Sequence, residues 1–219
     1  VFNIHPSILP RERGGGTFSW RIMNDQKEIS ATIHLIDEGV DTGAIVLQKK
    51  TELDITRPLP TDFMIKTNQL YVELLVKFLD TIKRNSSLKL QSQNENLATY
   101  LPRLHTENNA AIDWSWSVKD IEQFIRAFGT PYPGAYTYVN NDRITIEEAD
   151  AESSDIAYHP YASGRIASHL RDGSIRVIAK GGFLVIRRVS MDGQSNAPSN
   201  LFKETDMLST PPEILFNAK

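Results

Sequence analysis

A cluster of polar residues near the start of the chain has types and spacing that suit catalysis. The segment NIHPSILP runs from Asn3 to Pro10, where an apolar strand enters a proline-stiffened loop. Successive side chains of an extended segment point to opposite faces, so Asn3, His5 and Ser7 share one face. An imidazole exchanges protons near neutral pH, and a carboxamide or a hydroxyl beside it can donate hydrogen bonds. The same alternation is typical of a strand whose outer face meets water.

A second group of chemically capable residues, all of them acids, lies in a turn further along the chain. The segment HLIDEGVDTG, residues 34–43, carries Asp37, Glu38 and Asp41 directly after a strand pattern. Ligands of open α/β sheets collect beyond the carboxyl ends of strands, which makes this turn a candidate binding site. The Asp-x-Asp-x-Asp-Gly spacing of a calcium loop is missing, so we expect no metal, and solvated turn acids are the alternative.

The hydropathy pattern predicts the elements that position these groups. Alternation over residues 30–37 and 44–50 predicts two strands, and Thr17 is the expected N-cap of a short helix after three glycines. A long helix is predicted from Thr61 to the RNSS segment, with Asp62 in its first turn. Its apolar stripe, expected to pack against a sheet, comprises Leu70, Tyr71, Leu74, Leu75, Phe78, Leu79 and Ile82.

The second half of the chain has a different pattern. Residues 101–133 are predicted to form a connector and a helix capped by Ser117, and residues 134–190 a small antiparallel β domain of short alternating runs. Residues 191–219 are rich in Gly, Ser, Asn and Pro, and we expect a poorly packed tail that ends in a brief helical turn. Residues 1–100 form the first domain.

Composition restricts the function classes. The 219 residues include no cysteine, which excludes disulfides and thiolate catalysis and fits a reducing cytoplasm. No segment approaches the roughly 18 apolar residues of a membrane span, so no membrane partner is expected. A net charge of -3 argues against a protein devoted to neutralising nucleic-acid phosphates.

Together the motifs resemble the formyltransferase family that uses 10-formyltetrahydrofolate, which includes methionyl-tRNA formyltransferase and nucleotide-sugar N-formyltransferases. The resemblance rests on Asn3-x-His5, on SILP from Ser7 to Pro10, and on Asp41 in a D-x-G turn. ATYLPRL, IDWSWSVKDIEQFIRAF and PYPGAYTYV extend it to about Val189. It implies an α/β fold, namely the C-terminal part of a Rossmann-like formyltransferase domain followed by a small, mainly β, OB-like domain.

The resemblance also implies roles for individual residues. Asn3, His5 and Asp41 would be catalytic: Asn3 and His5 as donors to the growing oxyanion, and Asp41 as partner of the imidazole and acceptor of the amine proton. A nearby carboxylate is expected to favour the protonated form of His5. His34 is assigned a structural role. The residues implied to line the pterin site of the 10-formyltetrahydrofolate donor are Ser7, Ile8, Leu9, Pro10, Asp37, Glu38, Gly39 and Val40.

The acceptor amine is predicted from weaker features. RERGGGTFSW differs from the stretch associated with the tRNA enzymes, and the β domain mixes arginines with many acids. Both features favour an amino sugar on a nucleotide, with Arg11, Arg13 and Trp20 close to it, and methionyl-tRNA as the alternative acceptor. The strands that precede Asn-x-His in this family are missing, so we expect a fragment whose N-terminal half is a partner or was lost. A non-catalytic folate-binding or regulatory module is the competing hypothesis.

Overall fold

The computed structural model describes residues 1–84 and 87–217, and the chain divides into two compact units. The first unit is Val1–Leu104 and the second is His105–Lys219. Both units combine helices with strands, and the second contains more strands. The mixed α/β class with a sheet-rich C-terminal region is confirmed, while the Rossmann-like and OB-like descriptions stay predictions.

The first unit is built around a small antiparallel sheet. Its elements are β1 (Phe2–His5), β2 (Arg13–Gly14), α1 (Thr17–Met23), β3 (Glu28–Leu35), β4 (Ile45–Glu52), α2 (Pro60–Lys83) and β5 (Tyr100–Leu101). The strand order is β1-β3-β4 with antiparallel pairing throughout, and β2 pairs with β5 in parallel. The two strands predicted by alternation are β3 and β4, each slightly shifted in its bounds.

Strand β3 separates an apolar face from a polar face. Its buried apolar residues are Ile29, Ala31 and Ile33, and α2 packs against this strand. Because strand side chains alternate, the residues between them lie on the opposite face. These are Ser30, Thr32 and His34, which are also buried. A polar layer thus lies behind the strand, on the side away from the apolar core.

Helix α2 buries only part of its predicted stripe. Leu70, Leu74 and Phe78 are buried, as expected for the face that packs on the sheet. The expectation is wrong for three residues that are between 42% and 51% exposed, namely Leu75, Leu79 and Ile82. They lie on a flank of the helix that the described part of the first unit leaves open to solvent.

The starts of the two helices in the first unit differ in chemistry. Helix α1 begins at Thr17, but its N-cap is Gly16, with a φ of 71° and no side-chain cap, which corrects the prediction that Thr17 is the cap. A left-handed backbone at the cap favours glycine because glycine has no Cβ. Helix α2 has Asp62 in its first turn, where the carboxylate accepts a hydrogen bond from the Leu59 N–H at 2.8 Å.

The second unit is a β domain with helices at its start and its end. Its elements are α3 (Thr106–Asn109), α4 (Val118–Ala127), β6 (Ala135–Val139), β7 (Asp142–Ser153), β8 (Ile166–His169), β9 (Ile175–Ala179), β10 (Gly182–Met191), β11 (Gln194–Asn196) and α5 (Pro212–Asn217). The strand order is β6-β7-β10-β9-β8, and β11 adds to β10. Ser117 caps α4 as predicted, because its Oγ accepts the Asp120 N–H at 3.2 Å.

The C-terminal tail is packed more tightly than its composition predicts. Strand β11 pairs with β10, and the Ser209 and Tyr138 backbones exchange two hydrogen bonds. Phe202 and Leu208 are 5% and 0% exposed, so the expectation of a poorly packed tail is wrong over these residues. Two buried apolar anchors and a backbone ladder hold a segment whose overall composition is polar. Among the helices of the described residues, none is both long enough and apolar enough to cross a membrane.

Candidate active site

Strand pairing brings polar side chains from β1 and β3 onto one face. Asn3 lies directly opposite His34, and His5 lies directly opposite Thr32, in the antiparallel register of these strands. Directly opposed residues of neighbouring strands point to the same side of the sheet. The shared face predicted for Asn3 and His5 therefore carries a second histidine, His34, for which only a structural role was predicted.

The turn after β3 delivers a carboxylate to this face. Asp41 Oδ2 lies 3.4 Å from His5 Nδ1 and accepts a 2.9 Å hydrogen bond from the Gly14 N–H. Its other oxygen, Oδ1, lies 3.5 Å from Asn3 Nδ2 and 3.6 Å from His34 Nε2. The three residues predicted to be catalytic thus converge, with one carboxylate between a carboxamide and an imidazole.

Hydrogen bonds at the far sides of the two rings fix their tautomers. His34 Nδ1 lies 2.7 Å from the Leu35 carbonyl oxygen, which can only accept, so Nδ1 carries the proton. In the neutral ring His34 Nε2 is then an acceptor, and it receives the Asn3 amide N–H at 3.2 Å. By the same argument His5 Nε2 donates to the Glu12 carbonyl oxygen at 2.8 Å. His5 Nδ1, the nitrogen that faces Asp41, is therefore the one that can gain a proton.

Burial has the largest effect on the pKa of His5. The ring is 5% exposed, and this desolvation lowers the pKa of His5 below its usual 6.5, outweighing the Glu12 carbonyl and the Asp41 carboxylate, which both raise it. His34 and Arg21 lower it slightly further. Asp41 acts in the expected direction by favouring the protonated ring, but desolvation is the larger effect, so the pKa of His5 is lowered overall.

A buried polar network supports the loop after β1. Ser7 Oγ donates to the Arg11 carbonyl at 2.8 Å, and the Ser7 carbonyl accepts the Thr32 hydroxyl at 2.6 Å. Leu9 is 2% exposed, and its carbonyl accepts a 2.8 Å hydrogen bond from the Gln48 side chain. The predicted donor-binding segment is thus held to β3 by side-chain bonds to its backbone. The residues with partly exposed side chains in that segment are Ile8 and Pro10.

The predicted acceptor residues lie in different environments. Arg11 is exposed, and Trp20 is half-buried with its Nε1–H donating to the Pro102 carbonyl at 2.9 Å. Arg13 differs from its expected role, because its side chain is fully buried and its guanidinium is committed to protein partners. Those partners are Gln93, Glu95 and Tyr100, at distances between 2.7 and 3.2 Å.

The predicted donor-binding turn projects into solvent. Asp37 accepts hydrogen bonds from the Gly39 N–H at 3.2 Å and the Thr42 hydroxyl at 2.5 Å, which lower the pKa of its carboxyl. Glu38, Gly39 and Val40 are exposed, with Val40 at 60%. Asp37 therefore shapes the turn, and the three exposed residues offer a surface next to Asp41.

Some residues of the site were not found by sequence reasoning. Gln93 donates from Nε2 to the backbone carbonyls of both Asp41 and Gly43, at 2.8 and 2.7 Å. Gly14 contributes a backbone N–H, which no side-chain pattern reveals. The signal that pointed toward Gly14 was its place in the glycine run of RERGGG. Across the described residues, no group of three or more His, Cys, Asp or Glu side chains has the geometry to hold a metal ion.

Comparison with known proteins identifies the family to which the chain belongs. The family model described as "Formyl transferase" matches residues 1–79, and that described as "Formyl transferase, C-terminal domain" matches residues 105–205. The chain belongs to the formyltransferase family. It is 32% identical over 200 residues to the methionyl-tRNA formyltransferase of Citrifermentans bemidjiense, covering 91% of this chain and 60% of that protein. The chain thus spans about three fifths of the length of that curated relative.

Solved structures share the fold. A 4-N formyltransferase from Francisella tularensis superimposes with a TM-score of 0.53 at 29% identity, covering 62% of this chain and 55% of the other. An N-formyltransferase from Helicobacter canadensis, in complex with folinic acid and dTDP-3-aminofucose, has a TM-score of 0.62 at 24% identity. That match covers 85% of this chain and 65% of the other. The second similarity supports the fold alone.

Proposed function

We propose that this chain transfers a formyl group from 10-formyltetrahydrofolate to a primary amine. The observation that carries the proposal is the convergence of Asn3 and His5 on Asp41, whose carboxylate lies 3.5 Å from the Asn3 amide nitrogen and 3.4 Å from His5 Nδ1. Membership of the formyltransferase family supports the reaction class. The lack of cysteine supports a reducing, cytoplasmic setting.

The chemistry of the three side chains fits this transfer. As the amine attacks the formyl carbon, negative charge grows on the formyl oxygen, and the Asn3 amide can donate to it by releasing Asp41 or His34. Asp41 is the acceptor for the proton that the attacking amine loses. The proton then passes through the Asp41–His5 pair to the folate nitrogen as the carbon–nitrogen bond breaks. A neutral His5 suits this relay because its unprotonated Nδ1 can accept the proton.

The donor is proposed to bind between the loop after β1 and the turn before β4. Backbone from Ser7 to Pro10 and from Asp37 to Asp41 would line the pterin, as the family resemblance implies. The hydrogen bonds from Thr32 and Gln48 to the Ser7 and Leu9 carbonyls support this role because they hold the loop in place. No metal is needed for this chemistry.

We infer that the acceptor is an amino sugar carried on a nucleotide. Binding of a tRNA relies on uncompensated arginines and lysines that displace counterions from phosphates. Several arginines of the second unit are instead paired with acids, which lowers the local positive charge. These pairs are Arg126–Glu122, Arg176–Glu152, Arg187–Asp150, Arg187–Asp172 and Arg188–Glu148.

Methionyl-tRNA is the second candidate acceptor. The observation that favours it is the identity with curated relatives, of which those from Citrifermentans bemidjiense and Syntrophus aciditrophicus, at 32% and 30%, are both methionyl-tRNA formyltransferases. A noncatalytic folate-binding role is the remaining alternative, and the intact Asn3, His5 and Asp41 argue against it.

We propose that catalytic activity requires a further protein segment that packs against the first unit. The chain spans 58–64% of the length of three methionyl-tRNA formyltransferases it matches. Helix α2 carries exposed apolar residues such as Val72 and Val76, which are 61% and 55% accessible to solvent. A segment packed on this flank would bury them. We infer that a further protein segment packs on this flank of α2 in the active enzyme.

A formyl-transfer assay tests the proposal. The chain, alone and mixed with the N-terminal part of the Citrifermentans bemidjiense relative, is incubated with labelled 10-formyltetrahydrofolate and either dTDP-amino sugars or methionyl-tRNA. Label in the sugar at moderate salt supports the preferred acceptor, and label in the tRNA supports the second candidate. Folate binding without transfer to any amine in both arms would overturn the catalytic assignment.

A further inference from the structure

The side chain of Gln93 links the catalytic turn to a buried arginine. Gln93 lies within the first unit, between the two regions of the chain that the family models match. Its Nε2 donates to the Asp41 carbonyl at 2.8 Å and to the Gly43 carbonyl at 2.7 Å. These bonds join positions 52 and 50 residues apart in sequence. One amide thereby holds the backbone on both sides of Thr42, in the turn that leads into β4.

Arg13 determines which way this amide points. A guanidinium has donors only, so the Gln93 atom that faces Arg13 Nε and Nη2, at 3.2 and 2.7 Å, must be the carbonyl oxygen. Both amide hydrogens are then directed at the carbonyls of Asp41 and Gly43. Arg13 is itself held by Glu95 and the Tyr100 hydroxyl, which fixes the whole arrangement.

Asp41 needs such support because its backbone is in an unfavourable conformation. Its φ is 55°, in the left-handed region that residues with a Cβ seldom occupy. Its carboxylate is held by the N–H of Gly14, the neighbour of Arg13 in β2. Asp41 is thus held at its main chain by Gln93, whose amide Arg13 orients, and at its side chain by the Gly14 N–H, so both residues of β2 contribute to its position.

We propose that Gln93 is a positioning residue that sets the distance between the Asp41 carboxylate and His5. Arg13 acts through it by orienting its amide. This inference rests on the proposed function, because it treats Asp41 and His5 as the proton-transfer pair. Since small misplacements of catalytic groups can cost on the order of a hundredfold in rate, loss of Gln93 is expected to lower kcat roughly tenfold or more with little change in the KM for the donor.

The pKa of His5 depends on the distance between its ring and the Asp41 carboxylate. The groups that face the ring are the Asp41 carboxylate and the Glu12 carbonyl, both of which raise its pKa, and His34 and Arg21, which lower it. A relaxed turn moves the carboxylate away and leaves the other groups in place. The pKa of His5 is then expected to fall further below 6.5, an effect that a loss of stability alone does not produce.

NMR titration of His5 in Gln93→Met tests the proposal without any substrate. Methionine matches the length of glutamine and is uncharged, but it offers the two carbonyls no donor. Gln93→Asn serves as a second, polar variant that is too short to reach them. The control is Gln91→Met, because Gln91 is exposed and its backbone alone bonds to Ile45.

The titration results that support the proposal differ clearly from those that overturn it. A lowered His5 pKa in both Gln93 variants, with the wild-type value in Gln91→Met, supports the positioning role. An unchanged His5 pKa in whichever Gln93 variant is folded by its NMR spectrum overturns it, as does an equal shift in the control. Because the titration needs no formyl transfer, a chain that proves inactive leaves this test intact and overturns only the proposed function.

Discussion

Substitution of Gly43 by alanine is expected to displace the catalytic turn. A Cβ at Gly43 would lie 1.9 Å from the Leu35 carbonyl oxygen and 2.6 Å from its carbon, far inside the closest real contacts. Both atoms belong to the main chain at the end of β3, so no rotamer change relieves the clash. The turn must move as a whole, and it carries Asp41 two residues earlier.

The cost of this displacement follows from the bonds that the turn makes. The Leu35 N–H donates to the Ala44 carbonyl at 2.9 Å, and the Gly43 carbonyl accepts the Gln93 amide at 2.7 Å. Losing both bonds costs about 1 kcal/mol each. With at least about 1 kcal/mol for overpacking, the free energy of unfolding is expected to drop by about 3 kcal/mol. For a chain of this size that corresponds to a decrease in Tm of roughly 6–12 °C.

Urea and thermal unfolding of Gly43→Ala measure this effect. The matched control is Gly15→Ala, in the same unit, where the new Cβ would meet the Arg103 side chain at 3.3 Å and the loss should stay below about 1 kcal/mol. If Gly43→Ala unfolds within about 0.5 kcal/mol of wild type, the close approach of this turn to β3 is not as described, and the argument for the position of Asp41 fails with it.

Two further predictions concern stability. Because the folded state lowers the pKa of His5 below 6.5, the unfolded chain binds the proton more readily. The stability that neutral His5 contributes is therefore present above pH 6.5 and lost as the pH falls toward the lowered value. Urea unfolding from pH 8 to pH 5 measures this loss, and an equally steep decline in His5→Gln would contradict it. Ser117→Ala removes the cap of α4 and should cost about 1 kcal/mol, while Ser117→Thr keeps most of it. Equal stability of the two variants in chemical denaturation would refute the capping role.

Short-range patterns predicted much of the site, and long-range packing determined the rest. Alternation in NIH predicted that Asn3 and His5 share a face, since strand geometry alone requires it. The placement of His34 depends on the register between β1 and β3, which a single strand pattern does not contain. Gln93 bonds to backbone positions some fifty residues away in sequence, and no local pattern predicts such a contact.

The burial of individual side chains was the property hardest to predict from the sequence. Arg13 was predicted, together with Arg11 in the same loop, to lie close to the acceptor, yet Gln93, Glu95 and Tyr100 together satisfy its fully buried guanidinium. The same applies to His5, because desolvation lowers its pKa by more than the carboxylate in the motif raises it. On α2, periodicity identified the apolar residues but not which of them the first unit covers.

The most direct test of the account compares Asp41→Asn with Asp37→Asn. The two acids lie in the same turn, but only Asp41 faces His5, at 3.4 Å, whereas Asp37 is exposed and bonds to Thr42. The measurement is the rate of formyl transfer from 10-formyltetrahydrofolate to the amine that the wild-type chain uses. We predict that Asp41→Asn loses a factor on the order of a hundred or more. Asp37→Asn retains most of the rate, because the asparagine Oδ1 still accepts the Gly39 and Thr42 hydrogen bonds that shape the turn. A near wild-type rate for a folded Asp41→Asn variant would contradict the central claim that this carboxylate and His5 carry the reaction.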